Sequence, residues 1–466
     1  MPDLSPTPQR PPADDGLSVA RPSVHEHARV LTPEALRFVA ELVRRFRATR
    51  DELLKLRLIR QREIDAGNFP DFRRETATVR SSNWTVSPSP PAMAQAGVRV
   101  VPAALFADLD QALRARAGIV VADFEDTTSP TWHNCVEGQL NLCEMVGNDG
   151  VRGTLAMRPR GWHLEERHLR VDDEPAPAAL VDFGLFFFHN AAALADTDAG
   201  PYLYLPKLES HLEARLWNDV FVYAQDALGL PPGTVRAAVL IETILAAFEV
   251  DEILYELRAH SAGLDCGKWD YVFSMIKRFR NHERFVLPDR SQVTMSRHML
   301  SSYMDLIART CQRRGVAALC TTTAQAHTPD RAVTPDDLLQ VPAGTVTESG
   351  LRSNINVGTT YLESWLRGNG HVPIYGALED TATAEVSRAQ VWQWIRHATR
   401  MADGRTVTRS LVHEIIGEEL EATTRSMGSE RYRSGRFELA AKLFAEMTGS
   451  EEFPDFMTLL AYGYLD

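Results

Sequence analysis

The chain has 466 residues, 44% hydrophobic and 24% charged, which excludes a wholly disordered chain and allows about three domains. Its 50 basic and 62 acidic residues leave a net charge of −12, favouring solubility and arguing against a nucleic-acid or anionic-membrane surface. No apolar stretch is expected to reach the roughly 20 residues that cross a bilayer, no secretory pattern opens the chain, and the five cysteines (Cys135, Cys143, Cys266, Cys311, Cys320) form neither C-x-x-C pairs nor a zinc spacing, so the chain reads as a cytoplasmic protein with reduced thiols.

Residues 1–30 are rich in Pro, Asp, Arg and Ser with almost no apolar periodicity, and are expected to be a flexible arm. Residues 31–95 then form a helical segment and linker. Thr32 can cap, Pro33 suits the first helical position, and Leu36, Val39, Leu42, Val43 and Phe46 recur at helical spacing, predicting a helix to about Ala66. The Pro- and Ser-rich stretch Ser81 to Gln95 is a connector.

Over residues 96–330, short β-rich runs alternate with helical stretches, the rhythm of βα units and a parallel sheet. Seven strands are predicted: Val98–Val101, Ile119–Phe124, Thr154–Arg158, Tyr202–Pro206, Ala237–Ile241, Asp270–Ser274 and Val316–Thr321. Polar residues cluster at their ends: Asp123, Glu125, Asp126, Arg158, Lys207, Glu242 and Asp270. In a (β/α)8 barrel the chemistry sits at the C-terminal face of the strands, so the expected fold is an α/β, TIM-barrel-like (β/α)8 domain. Residues 331–466 are expected to form a C-terminal helical domain, with helices near Val333–Leu338, Gly350–Leu366, Ala384–Thr399 and Arg409–Thr424. Between them, the stretch Gly368 to Gly376 leads into Leu378-Glu379-Asp380 and is too poor in polar linker residues to be only a spacer.

On residue type alone, Glu242 and Asp270 at one barrel mouth suit a hard, oxygen-liganded cation such as Mg²⁺, but equally suit ion pairs with Lys or Arg. Arg158 could fork onto a carboxylate or a developing oxyanion, whereas Arg160 reads as a structural ion-pair partner. Trp162 and Trp269 read as packing residues, and His163 and His260 as structural histidines. Cys266 has no histidine placed by sequence to activate it.

Longer motifs go further. Ile241-Glu242-Thr243, the run Phe248 to Arg258, and His260 to Ser274 closely resemble the malate synthase family, A-type group. The likeness extends through Ala122 to Asp126, Arg158 to Leu164, Tyr204 to Lys207, Leu287 to Arg290 with Val293 to Met295, and Val372 to Asp380 with Ala384-Glu385. The resemblance implies an acyltransferase of the glyoxylate cycle: a Mg²⁺-dependent Claisen condensation of acetyl-CoA with glyoxylate to malate and CoA. Matched residue by residue, it implies that Asp380 is the base and that Arg158 stabilises the enolate. It further implies that Glu242 and Asp270 ligate magnesium, that the N–H groups of Gly267, Lys268, Trp269 and Asp270 hold glyoxylate, and that Glu125 and Asp126 partner the metal's waters. Glyoxylate and acetyl-CoA are then the partners, with no nucleic acid or membrane, and an oligomer is compatible with the reading.

The chain departs from the family after Cys311-Gln312-Arg313-Arg314-Gly315. It passes from Val316 to His327 almost directly to Val333-Thr334-Pro335, roughly sixty residues short, about two βα units of such a barrel. The expected barrel is therefore incomplete and lacks its eighth strand, and the shortening falls among family elements that line the acetyl-CoA pocket. Smaller changes place Thr127 where the family has Ser, Asp265 where it has Asn and His371 where it often has Cys. Two alternatives stand beside malate synthesis: a related carbon–carbon bond-forming or cleaving enzyme with another acyl donor, and a non-catalytic protein of the same shape.

Overall fold

The structure, a computed structural model, describes residues 16–20, 24–94, 97–116, 118–147, 153–197, 199–319 and 332–465. Seven parallel strands form its central sheet: Val98–Pro102, Ile119–Asp123, Thr154–Arg158, Tyr202–Leu205, Arg236–Ile241, Ser261–Cys266 and Ala317–Ala318. They neighbour one another in chain order. Helices cross over between them, among them Trp132–Gly147, Ala178–Asp196, His211–Ala227 and His298–Arg314.

Side-chain alternation divides the strands between two cores. Ile119, Val121, Ala156, Tyr202, Tyr204, Ala238, Leu240, Ala262 and Leu319 point into the barrel, where Met93 joins them from the short turn Pro91–Ala94. Val120, Ala122, Leu155, Met157, Leu203, Leu205, Val239, Ile241 and Leu264 face the helices. Burial on both faces explains why these strands are nearly all apolar. The second to sixth strands end in or next to polar residues where the apolar walls stop.

Six of the seven expected strands fall where they are expected, the last over part of its length, and one does not. Residues expected as the strand Asp270–Ser274 belong to the helix Lys268–Arg278, which buries Tyr271, Val272, Met275 and Ile276. The sixth strand is instead Ser261–Cys266, weak in β propensity but selected by packing. A Cβ on its Gly263 would lie 2.8 Å from the Ala317 carbonyl oxygen, so glycine lets the seventh strand approach. That last strand covers only Ala317–Ala318; the remainder of the expected run, from Cys320, lies outside the described residues. Among the described residues no eighth strand joins the seventh to the first, and the sheet is open there.

The expected arm is corrected where it is described; its residues 1–15 and 21–23 lie outside the described residues. Leu17–Val19 pairs antiparallel with Glu165–Val171, which pairs with Glu174–Pro177, a small sheet inserted after the third barrel strand. Three residues carry too little periodicity to be read as a strand without their partner. The helix Pro33–Asp65 starts as expected, with Thr32 Oγ1 accepting the Ala35 N–H at 3.2 Å. Contrary to the expected absence of a long apolar stretch, Ala178–Asp196 is long and apolar enough to cross a membrane by composition, with mean hydropathy 1.5. Here it is a core helix, burying Leu180, Phe183, Phe186 and Phe187 against Pro33–Asp65 and Trp132–Gly147.

The C-terminal helices Glu348–Trp365, Thr381–Arg396, Arg409–Met427 and Phe437–Gly449 pack around Trp365, Trp394 and Phe444. The stretch Gly368 to Gly376 enters a hairpin, Val372–Ile374 with Ala377–Glu379, that delivers the chain to Asp380. Helix Thr381–Arg396 rests on Lys268–Arg278, bringing this domain over the barrel mouth.

Met93 has no exposure and fills the barrel floor. Met93→Ala is expected to cost about 2–5 kcal/mol, read as a lower unfolding midpoint; an unchanged midpoint would show that the floor is not packed this way.

Candidate active site

The site begins with register. Asp123 and Arg158 end adjacent strands as paired residues. The Arg158 guanidinium forks onto Asp123, Nε to Oδ1 and Nη2 to Oδ2, both at 2.6 Å, while its Nη1 lies 2.9 Å from Asp126 Oδ2. Asp123 also accepts the N–H groups of Glu125 at 2.9 Å and Thr127 at 2.8 Å, which curls the following loop and turns Glu125 and Asp126 into the mouth. Burial works against the Asp123 charge, but the Arg158 cation and these donors outweigh it and hold the carboxyl below its usual range.

Lys207 follows the fourth strand. Its ammonium lies 2.8 Å from Asp126, 3.2 Å from Asp270 and 3.5 Å from Glu125. Burial disfavours that charge, yet Asp126, Asp270, Glu242 and Glu125 keep its pKa well above the usual lysine value. The Lys207 N–H donates to Glu242 Oε1 at 2.7 Å.

Oxygens of Asp126, Glu242 and Asp270 lie within 4.8 Å of one another. Asp126 is charge-paired on both sides, by Lys207 and Arg158. Glu242 and Asp270 are less compensated. Glu242 Oε2 is buried without a hydrogen-bond partner among the described residues, and Asp270 Oδ1 meets Lys207 at ion-pair distance without hydrogen-bond alignment. An all-oxygen donor set with an orphaned buried lone pair fits a hard dication, and Mg²⁺ fits it with other positions left to water or substrate. Gly267 makes room: a Cβ there would lie 2.6 Å from Glu242 Cβ.

Burial pushes the Glu242 carboxyl well above its usual range, with Asp270 and Asp126 adding to the shift. Asp270 is raised by burial as well, and Glu125 is pushed up to about 7. Across the mouth, Asp380 caps helix Thr381–Arg396, its Oδ1 accepting the Thr383 N–H at 3.2 Å. Loss of solvation in the cleft, then the charges of Asp126 and Asp270, raise it to about 7. This helix start is tied to the acidic loop, because the Asp126 carbonyl accepts both the N–H (3.1 Å) and the hydroxyl (2.9 Å) of Thr381.

Helix Lys268–Arg278 starts beside this cluster without a side-chain cap. The Gly267 N–H is taken by Tyr303 Oη at 3.1 Å, and the first-turn N–H groups of Lys268, Trp269 and Asp270 have no partner inside the helix, the kind of helix start that can hold an anion. The structure thus brings together every residue singled out from sequence for the site: Asp380, Arg158, Glu242, Asp270, Glu125, Asp126 and the turn Gly267 to Asp270. Sequence reasoning gave no role to Asp123 or Lys207, whose signals were their position at strand ends and their place in the motifs Ala122 to Asp126 and Tyr204 to Lys207. Arg160 pairs with Asp182 and Glu166, and Trp162 packs on Trp217, as structural residues should. His163 stacks on Phe456 at 3.9 Å, and burial holds it neutral.

The chain matches the malate synthase N-terminal domain over residues 15–78, the malate synthase TIM barrel domain over 154–337 and the malate synthase C-terminal domain over 345–465. A malate synthase of Myxococcus xanthus is 42% identical over all of this chain and 99% of its own length. The chain belongs to the malate synthase family. A Streptomyces clavuligerus malate synthase is likewise 42% identical, over 95% of this chain and 97% of its own. Malate synthase A of Escherichia coli is 37% identical over 97% and 98%. Homologues in the family run to about 530 residues against 466, so this member is a shortened form.

The raised carboxyls bear on stability. Without metal, Glu125 and Asp380 retain protons in the folded state up to about pH 7, above their usual values of 4.5 and 3.8, so stability falls as pH rises through that window. Metal requires ionised ligands. Magnesium is therefore expected to raise the melting temperature more at about pH 8 than at about pH 5.5; equal shifts, or none, would count against the carboxylate cluster as its site.

Proposed function

We propose that this chain condenses acetyl-CoA with glyoxylate and releases malate and CoA on hydrolysis of the thioester, and that it does so in the cytoplasm. The carrying observation is the convergence of Asp380, Arg158 and the Asp126–Glu242–Asp270 cluster at one barrel mouth. A thioester α-proton is weakly acidic, so its removal needs a placed base and a cation for the enolate. Asp380, with a carboxyl raised to about 7, is basic enough to take the methyl proton and is ionised near neutral pH. Arg158 spends three of its five N–H groups on Asp123 and Asp126 and presents the rest to the enolate oxygen. Held by Glu242 and Asp270, magnesium would polarise the 2-oxo acid and raise its electrophilicity. The N–H groups at the start of helix Lys268–Arg278 take the glyoxylate carboxylate, and Glu125 and Asp126 orient water around the acidic cluster.

The shortening after the seventh strand favours one competing reading, a different acyl donor on the same acceptor chemistry. Thiol release from acetyl-CoA separates the two. The expected result is CoA release that requires both glyoxylate and Mg²⁺. In Asp380→Asn, turnover is expected to fall by about a thousandfold or more while magnesium binding persists. Full activity in that variant would remove Asp380 as the base, and wild-type binding of glyoxylate without turnover would point to another donor.

A further inference from the structure

A contact that the proposed chemistry does not use reaches the site from outside the barrel. Among the described residues, Lys207 is the only buried non-glycine residue with a left-handed backbone, at φ 55°. A side-chain-bearing residue keeps that conformation only where its surroundings impose it. Two bonds impose it here. On the mouth side its N–H is held by Glu242 Oε1 at 2.7 Å; on the outer side its carbonyl accepts Arg57 Nη2 at 2.9 Å. Arg57 comes from the middle of the N-terminal helix Pro33–Asp65. Its guanidinium forks onto Glu213, Nε to Oε1 and Nη2 to Oε2, both at 2.7 Å, and Glu213 Oε2 accepts the Glu209 N–H at 2.9 Å. Arg57 therefore joins the Lys207 peptide to the first turn of helix His211–Ala227.

We infer that Arg57 is a positioning residue for the magnesium site, acting through the Lys207 backbone to aim both the Lys207 ammonium and the Glu242 carboxylate. This rests on the metal-dependent reaction proposed above. Without the Arg57 donor, the buried Lys207 carbonyl loses the bond that holds its peptide plane. The plane that follows Lys207 is then free to turn about its Cα; the left-handed residue relaxes, and the shift reaches the preceding plane, whose N–H is bonded to Glu242 Oε1, and the ammonium paired with Asp126 and Asp270. The free oxygen of Glu242 would lose its aim, and a metal ligand without its supporting bond binds more weakly. The N-terminal helix thus does more than clasp the barrel.

Loss of Arg57 need not unfold the helix. Gln61 Nε2 independently donates to the Arg278 carbonyl at 3.0 Å, and a cavity of about 320 Å³ beside Arg57, lined by Leu53, Phe69, Leu212 and Phe248, admits water to a shortened side chain. Arg60 also lines that cavity and pairs with Glu63, with no bond to Lys207 among the described residues, and serves as the control.

The experiment compares full-length wild type, Arg57→Met, Arg57→Lys, Arg60→Met, Lys207→Met and the Arg57→Met/Lys207→Met double variant. Magnesium binding is measured by calorimetry without substrates, and kcat and KM by thiol release. Arg57→Met is expected to weaken magnesium binding and lower kcat by about 10- to 100-fold each, Arg57→Lys to recover part of both, and Arg60→Met to match wild type. The double variant should lose less than the product of the two single losses, since either substitution breaks the ammonium branch while the backbone bond to Glu242 survives Lys207→Met. Arg57→Met that melts lower but binds magnesium like wild type, or losses that multiply in the double variant, would overturn the inference. An inactive wild type that still binds magnesium would overturn the proposed reaction instead, and the binding isotherms would still decide the role of Arg57.

Discussion

Everything at this barrel mouth depends on holding several buried carboxylates together against too few cations. Asp123, Glu125, Asp126, Glu242 and Asp270 are all buried within reach of Arg158 and Lys207. Burying an unpaired charge is costly, so each cation is shared among acids, and Asp123, Glu125 and Asp126 are given fixed donors. The fork of Arg158 on Asp123 is the firmest of these arrangements. It compensates one carboxylate fully, shapes the loop carrying Glu125 and Asp126, and leaves the charge deficit at Glu242 and Asp270, where a dication fits.

This deficit explains the layered construction around the mouth. The barrel strands supply acids at their ends because apolar walls stop there. The C-terminal domain supplies Asp380 and ties its helix to the Asp126 carbonyl through Thr381, so the base and the acidic loop share one anchor. From the opposite side, the N-terminal helix reaches Lys207 through Arg57. Barrel, closing domain and clasp thus meet in one network of hydrogen bonds. Among the described residues, the gap between the seventh and first strands lies outside that network, because the side chains that converge at the mouth come from the second to sixth strands, their following loops and the closing helix. This member of the family is shorter than its homologues and keeps its acids together.

Much of this was legible from residues alone. Long apolar runs ending in Asp123, Arg158 and Glu242 determined parallel strands with chemistry at their ends, because a strand buried on both faces has to be apolar until it emerges. Thr32-Pro33 and the following periodicity determined the long helix, since capping and helical repeat are local. The motifs around Glu242, Asp270 and Asp380 determined the family. Tertiary structure decided the rest. Ser261–Cys266 is a strand and Tyr271 to Ser274 a helix because of what packs against them, against their own propensities; Leu17–Val19 is a strand only because Glu165–Val171 lies beside it. The roles of Asp123 and Lys207, and the reach of Arg57 across the barrel wall, depend on register, a left-handed peptide and contacts between residues 150 positions apart. Local sequence encodes propensity and periodicity, but the pairing of buried charges exists only once distant strands and helices have been brought together.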